Sequence, residues 1–511
     1  MATLVNDVNS TTPAVKMAPS TLDLFMLTFN CAKNFINVAV FASHLHAAFK
    51  QNATGLPDLV VFSLQEVAPL SYSFIGGYFL SPYLARYEEA LNIAATRYAS
   101  GDDSNGSDDD TITVQPTASS PVRPYTLVRA RNVGMTGIVL FARNPEAILR
   151  VQEAEVGFGA AEMGNKGAVA LRVLYEGEAP GGGKKETELT FVATHLAAME
   201  WNLPRRNANW AAIMRSLTFE NPEDILNPKK APAQADARED DDAAAAGAGE
   251  ERLRLLHDEH HAQNQALQDR LQDISVFKPS SHLFVGGDLN YRISTTSPPP
   301  GATFPSLDPD SEHHYARFFA LDQLTRERRA GRTLHGMSEA DVAFPPTYKY
   351  DVLPPSVGGG RLEVDGAEDV PWVFAPHRYP GWTDRILYLE VPSWAQGGEG
   401  MKVDVKAYDA MPVVRSSDHR AVYLRAKVPL LTAEELAPTP GAGSGSDGSS
   451  IADPRLALPV AIDPEAWERR AAARRKEVLV GWSMILWSTK EGALVLATLL
   501  ALGAGAWWLN Q

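Results

Sequence analysis

Cysteine is nearly missing: Cys31 is the only one among 511 residues. A disulfide within the chain is therefore impossible, and the usage suits a reducing, cytosolic compartment. A lone cysteine can be a nucleophile, but its place beside a strand end reads as a small buried apolar side chain. The amino terminus lacks the basic start and apolar stretch of a secretory signal, and residues 1–20 read as a disordered leader. Positive charge is scarce as well. Lys and Arg number 47 against 62 Asp and Glu, a formal net charge of −15, which argues against wholesale nucleic-acid binding. No internal repeat is found. What is there is ordinary globular composition, 45% hydrophobic and 21% charged, enough for one large domain or two ordinary ones.

Apolar runs rich in Val, Ile, Leu and Phe predict strands at 22–30, 58–67, 134–143, 167–175, 188–196, 282–290, 384–391, 401–408 and 419–428. Helical periodicity falls near 33–50, 83–99, 204–219, 251–273 and 312–329. This mixture predicts one α/β domain over 21–429, two packed sheets flanked by helices. The stretches 100–122, 176–187 and 222–250 are Gly, Ser, Asp, Ala, Lys or Pro rich and read as solvent-facing insertions. A flexible linker follows over 430–464.

Certain polar residues fall at the strand ends: Asn30, Gln65 and Glu66, His195, Asp288 and Asn290, Asp384, and the run Ser417, Asp418, His419. Any one of them has an ordinary structural reading, but the set suits metal-assisted phosphate hydrolysis. A hard Mg²⁺ ion takes oxygen ligands, which Glu66 and Asn30 can offer. Asp288 can orient and deprotonate a water, Asn290 and His195 can donate to phosphoryl oxygens, and His419 with Asp384 forms a pair that stabilises an imidazolium.

The strings FSLQEV (62–67), MGNKGAVALRV (163–173), THLAAME (194–200), GGDLNYRI (286–293), FPPTYKYD (344–351), PGWTDRIL (380–387) and SSDHRAVY (416–423) stand in this order. In that set and order the chain resembles the inositol polyphosphate 5-phosphatases, part of a wider group of endonucleases, exonucleases and phosphatases. The resemblance covers about 21–429 and implies a four-layered α/β sandwich. By motif it implies Glu66 and Asn30 at the metal, with Asp418 near it through water. It implies Asp288, Asn290, His195, His419 and Asp384 as catalytic residues, and Lys166, Tyr348, Lys349 and Arg292 on the substrate, chiefly at the 4-phosphate beside the scissile one. The implied reaction is Mg²⁺-dependent hydrolysis of a phosphoinositide 5-phosphate. A nuclease or sphingomyelinase of the wider group, or an inactive tether with the same fold, stays open at this point. Three departures stand out: Thr383 where the family usually has Cys, Gly381 where it has Ala, and Met199 where a second histidine is commoner.

Residues 492–509 (GALVLATLLALGAGAWWL) carry no charge. As a helix they span about 27 Å at about 1.5 Å per residue, near the thickness of a bilayer's hydrocarbon. This predicts a C-terminal transmembrane tail anchor, with Trp507 and Trp508 at the far interface. Segment 465–491 reads as a basic, interfacial juxtamembrane stretch. Its Arg469, Arg470, Arg474, Arg475 and Lys476 favour a cytosolic catalytic domain and attraction to anionic lipid. The short span favours a thin membrane, and fungal 5-phosphatases tail-anchored on the endoplasmic reticulum are similar.

Overall fold

The computed structural model describes residues 20–52, 55–101, 123–179, 181–227, 264–354, 370–395, 401–438, 453–488 and 490–510. Most of the leader, nearly all of the 100–122 stretch, the larger part of 222–250 and the middle of the linker lie outside these residues. The strands are β1 (Thr21–Asn30), β2 (Leu59–Gln65), β3 (Thr126–Val133), β4 (Thr136–Ala142), β5 (Ile148–Gly157), β6 (Gly167–Glu178) and β7 (Lys184–His195). They continue with β8 (His282–Asp288), β9 (Tyr350–Val352), β10 (Trp372–Phe374), β11 (Asp384–Tyr388), β12 (Asp404–Ala410) and β13 (Val422–Pro429). One sheet runs β12-β13-β1-β2-β4-β3 and the other β11-β8-β7-β6-β5. Each is antiparallel apart from one inner parallel pair, β1 with β2 and β7 with β8.

Those parallel pairs place the site. Strands running side by side deliver their C-terminal ends to the same edge, so Asn30 lies in register with Gln65 and His195 with Asp288. The antiparallel β11 begins at that same edge, with Asp384 opposite Asp288. The two sheets face each other across a dry core that includes Leu24, Met26, Val61, Leu140, Phe191, Phe284 and Ile386. Ser63 Oγ donates to the Gly286 carbonyl across this seam at 2.8 Å. The approach is close there: a Cβ on Gly286 would stand 2.8 Å from Met26 Cε.

Helices Val38–Lys50 and Ser81–Ser100 cover the outer face of the first sheet, and Leu203–Ser216 covers the second. The expected helix–sheet–sheet–helix sandwich is therefore the one observed. Helix Val38–Lys50 starts where the Asn37 side chain accepts from the Ala39 and Val40 amides at 3.1 and 3.3 Å. It buries Phe41, Leu45, Ala48 and Phe49, the four- and seven-residue spacing of one helical face. Each such large side chain contributes roughly 1.5–3 kcal/mol of apolar burial.

Four expectations need correction. The segment 176–187 is not an insertion but the tip of the long β6–β7 hairpin, where Glu176 pairs with Glu186 in register and Lys184 bridges Glu176 at 2.5 Å. β3 and β5 were not anticipated; both are edge strands dotted with Arg129, Arg131, Glu153 and Glu155, so they carry no apolar run. The 312–329 helix is broken into Tyr315–Phe318 and Gln323–Arg329, because Asp322 caps the second piece at the Thr325 amide, 2.8 Å away. The described ends of the linker are structured: Thr432 and Glu435 form a capping box, and Arg455 donates to the Glu390 carbonyl at 2.9 Å. The 251–273 helix is described from residue 264, where it runs to 274.

Beyond the linker, helix Ala466–Ser488 lies against the domain, and a further helix, Lys490–Leu509, follows it. Within the latter, Gly492–Leu509 has mean hydropathy 1.8, is 6% buried and is long and apolar enough to cross a membrane. Three of the five cations expected to face lipid instead have protein partners: Arg469 pairs with Glu162, Arg470 with Glu155 and Glu477, and Arg474 with Glu477.

Candidate active site

The strand ends meet. Asn30 Nδ2 donates to Asp288 Oδ2 at 3.0 Å across the seam, and Asn30 Oδ1 accepts the Ala32 amide at 3.1 Å. His195 Nε2 lies 3.2 Å from the same Asp288 oxygen, and His419 Nε2 lies 4.0 Å away. Asp288 Oδ1 accepts the Asn290 amide at 3.1 Å, a local bond made possible by the left-handed turn at Asn290, φ 58°. Glu66 sits just beyond β2 in a left-handed conformation, φ 48°, and pairs with Lys33 at 2.6 Å. Lys166 comes from the loop before β6 and contacts His195 Nε2.

Charge balance explains the protonation states. Burial alone would raise the Asp288 pKa, but His195, His419 and Lys166 outweigh it and hold the carboxyl well below its ordinary value. Glu66 is likewise lowered, burial being outweighed by His195, Lys33 and Lys166. Burial pushes Lys166 down to about 8 against the pull of Asp288 and Glu66. Burial, then Lys166, lowers His195 against the pull of Asp288 and Glu66. Glu66 and Asp288 thus share Lys166 and His195 as electrostatic neighbours, the proximity that metal-assisted hydrolysis demands.

A second unit stands beside the first. His419 Nδ1 meets Asp384 Oδ2 at 2.9 Å, and the same oxygen accepts from Thr347 Oγ1 at 2.7 Å and Thr383 Oγ1 at 2.8 Å. Burial opposes the imidazolium, but Asp384, Asp288 and Asp418 overcome it and push His419 up to about 9. Burial also raises Asp384. Ser417 Oγ donates to the Asn30 carbonyl at 2.6 Å and accepts the His419 amide at 3.0 Å, tying the loop before β13 to β1.

Three of the residues expected to face the substrate, Tyr348, Lys349 and Arg292, gather next to this unit. The Tyr348 ring lies 4.3 Å from that of His419, and the Arg292 guanidinium stands 4.6 Å from the Tyr348 centroid. Arg292 also donates to Asn290 Oδ1 and, at 3.0 Å, to the Asn290 carbonyl. Lys349 pairs with Asp418 at 2.5 Å. A cleft of about 260 Å³ opens beside Lys166, lined by Asn165, Met199, Asn202 and Arg205 among others. Buried polar atoms without a hydrogen-bond partner among the described residues include His195 Nδ1, Arg292 Nη1 and Asp384 Oδ1.

Some participants were missed. Thr383, seen in the sequence only as a departure, holds Asp384. Arg378 bridges Glu200 at 2.5 Å, lies 3.3 Å from Met199 Sδ and interacts with Tyr348; its signal was its place just before the PGWTDRIL string. Cys31 is buried, accepts from the Tyr87 hydroxyl at 3.0 Å and is pushed up to about 12 by burial, so it is no nucleophile.

The donors present suit a divalent cation unequally. Asp288, Asp384 and His419 present ligand atoms within 4.8 Å of one another. His419, however, is held as a cation by Asp384, and a protonated imidazole does not ligate. The ionised carboxylate of Glu66 and the carboxamide oxygen of Asn30 suit a hard divalent ion better than such a histidine.

The model of the endonuclease/exonuclease/phosphatase family 2 matches residues 27–425. Among curated proteins the chain is similar to type II inositol polyphosphate 5-phosphatase 14 of Arabidopsis thaliana, 29% identical over 54% of this chain and 20% of the relative. It is also similar to polyphosphatidylinositol phosphatase INP53 of Saccharomyces cerevisiae, 26% identical over 74% of this chain and 24% of the relative. The first such relatives are thus matched over only about a fifth to a quarter of their own length. A solved inositol polyphosphate 5-phosphatase domain of synaptojanin, in complex with inositol (1,4)-bisphosphate and calcium ion, aligns over 82% of this chain and 90% of its own, at 20% identity and TM-score 0.49. The chain belongs to the endonuclease/exonuclease/phosphatase family, and its curated relatives include inositol polyphosphate 5-phosphatases.

Proposed function

We propose that the chain hydrolyses the 5-phosphate of membrane phosphoinositides, chiefly phosphatidylinositol 4,5-bisphosphate to phosphatidylinositol 4-phosphate, with Mg²⁺ as cofactor. The observation that carries this reading is the meeting of Asn30, Glu66, His195, Asp288, Asn290, Asp384 and His419 at one edge of two sheets. Glu66 and Asn30 would hold the ion, with Asp418 near it through water. When bound, the ion polarises a phosphoryl oxygen and offsets the charge that builds in the transition state.

The chain's own groups do the rest. Asp288 binds a proton weakly, so it acts first as an acceptor that aims the attacking water. Asn290 Nδ2 and His195 donate to the phosphoryl oxygens. His419, a cation held by Asp384, sits against the developing negative charge and can supply the leaving oxygen with a proton. Lys166, Tyr348, Lys349 and Arg292 provide the cations and hydroxyl that grip the neighbouring 4-phosphate. The apolar helix Lys490–Leu509 would anchor the protein in the endoplasmic reticulum membrane, with the catalytic domain in the cytosol.

The test is phosphate release by the full chain from vesicles containing phosphatidylinositol 4,5-bisphosphate, with Mg²⁺ and with a chelator. Release that needs Mg²⁺ and falls at least about a thousandfold in Asp288→Asn supports the mechanism. No release in the parent, or near-normal turnover in that variant, refutes it.

A further inference from the structure

The helix Ala466–Ser488 carries a carboxylate with no contact to solvent. Glu477 is 0% exposed. Its Oε1 accepts the Gly164 amide at 2.7 Å and Arg470 Nη1 at 2.6 Å, and its Oε2 accepts Arg470 Nη2 at 2.9 Å and Arg474 Nη1 at 3.4 Å. The two arginines extend the grip. Arg470 reaches Glu155 on β5 at 2.7 Å, and Arg474 donates to the Phe74 and Ile75 carbonyls at 2.6 and 3.1 Å.

The partners on the domain matter most. Gly164 lies two residues before Lys166, in the loop between β5 and β6. Phe74 and Ile75 lie in the segment that follows Glu66. Gly164 also accepts the Met135 amide at 3.2 Å, and a Cβ on Gly134 would stand 1.6 Å from the Gly164 carbonyl oxygen, so this loop has little room to settle elsewhere. Farther along the helix, Gly481 packs against Ile75 and Ser71, and the Trp482 ring lies 5.8 Å from that of Phe79. A buried carboxylate on an isolated tether would be costly. Arg470 and Arg474 of its own helix supply three of its bonds, and the fourth, from the Gly164 amide, ties the buried charge to the loop that carries Lys166.

We propose that Glu477 is a positioning residue for Lys166, so that the helix joining the domain to its apolar tail completes the grip on the phosphate beside the scissile one. This deepens and rests on the proposed function. It makes the tail-proximal helix part of the enzyme rather than a leash, and a chain cut before residue 465 would lack one wall of its substrate loop.

The experiment uses the full chain and its Glu477→Gln variant, which keeps an acceptor for the Gly164 amide while removing the charge that Arg470 and Arg474 share. Hydrolysis is measured on vesicles of phosphatidylinositol 4,5-bisphosphate and of phosphatidylinositol 5-phosphate, which lacks the neighbouring group. The expected result is a KM roughly tenfold higher on the first lipid, kcat within about twofold, and little change on the second. Hydrogen exchange over residues 160–170 is expected to quicken in the variant. Equal losses on both lipids, or unchanged KM and unchanged exchange, overturn the proposal. If Glu477→Gln does not fold, Gly481→Ala takes its place. Its added Cβ would stand 2.9 Å from Ile75 Cγ1 and 3.0 Å from the Ser71 carbonyl, wedging the helix with Glu477 intact, and the same split is expected. A parent inactive on both lipids strikes the proposed function instead, and the exchange measurement then still decides whether the docked helix holds the loop.

Discussion

Replacing Asp384 by Asn removes one charge from the least exposed part of the site and leaves its shape. In the parent, Asp384 Oδ2 collects three donors, from Thr347, Thr383 and His419, the last at 2.9 Å. An Asn carboxamide oxygen can still accept from them, but the bond to His419 is no longer between opposite charges. Once His419 has lost its proton, a charge-assisted bond of about 1.5–3 kcal/mol becomes a neutral one of about 0.5–1.5 kcal/mol. With Asp384 neutral, burial is free to bring His419 from about 9 back toward its ordinary 6.5. At about pH 7.5 the imidazolium fraction then falls from nearly all to roughly one-tenth, a tenfold loss recoverable on acidification. The assay is kcat/KM for phosphate release between about pH 5.5 and 9.5, with thermal unfolding as a control for folding. The expected profile has its alkaline limb moved down toward about 6.5. A variant whose limb stays near that of the parent would refute the assignment of His419 as the working cation.

Two further outcomes follow from buried groups away from the chemistry. Burial drives His282 down to about 4 from 6.5 while its Nε2 lies 3.0 Å from the Pro429 carbonyl. Its folded-state pKa is depressed, so its contribution is complete above 6.5 and is lost as pH falls through about 4, at most about 3 kcal/mol. Denaturant melts of His282→Gln are expected to show a flatter acid limb than the parent; an identical limb counts against it. Arg425 holds Asp23 with bonds of 2.8 and 3.1 Å, both side chains being buried. Arg425→Met strands that carboxylate with Lys427 alone and is expected to cost about 3 kcal/mol in the same melts, whereas a cost under about 1 kcal/mol would show the pair to be dispensable.

The buried strands were legible because a short apolar run between polar ends reads as a strand covered on both faces, as in FMLTF of β1 or LFVGG of β8. The edge strands were not, since Arg131 and Glu153, which here pair from the edge of one sheet to the edge of the other, could as readily solvate a loop. The strand-end polar residues could be named because the whole set falls at the ends of buried strands, although His195 or Asp288 alone has an ordinary structural reading. What linear order hides is how such ends combine. Nothing local says that Asp384 meets His419 and Thr347 rather than water, or that Arg378 reaches Glu200 across 178 positions. The docked helix was hidden for the same reason. Its arginines looked ready for lipid, because their acceptors, Glu155, Glu162 and the carbonyls of Phe74 and Ile75, lie hundreds of residues earlier.

The candidate site residues are divided between the sheets: Asn30, Glu66 and His419 come with one, His195, Asp288 and Asp384 with the other. The thickness of the hydrocarbon filling between them, set by contacts such as Met26 against Gly286, therefore acts as a spacer gauge for the aperture above. A methylene added or removed deep in that filling alters the gap between Asn30 and Asp288 without touching either, so turnover should respond to core volume as a lens mount responds to a shim.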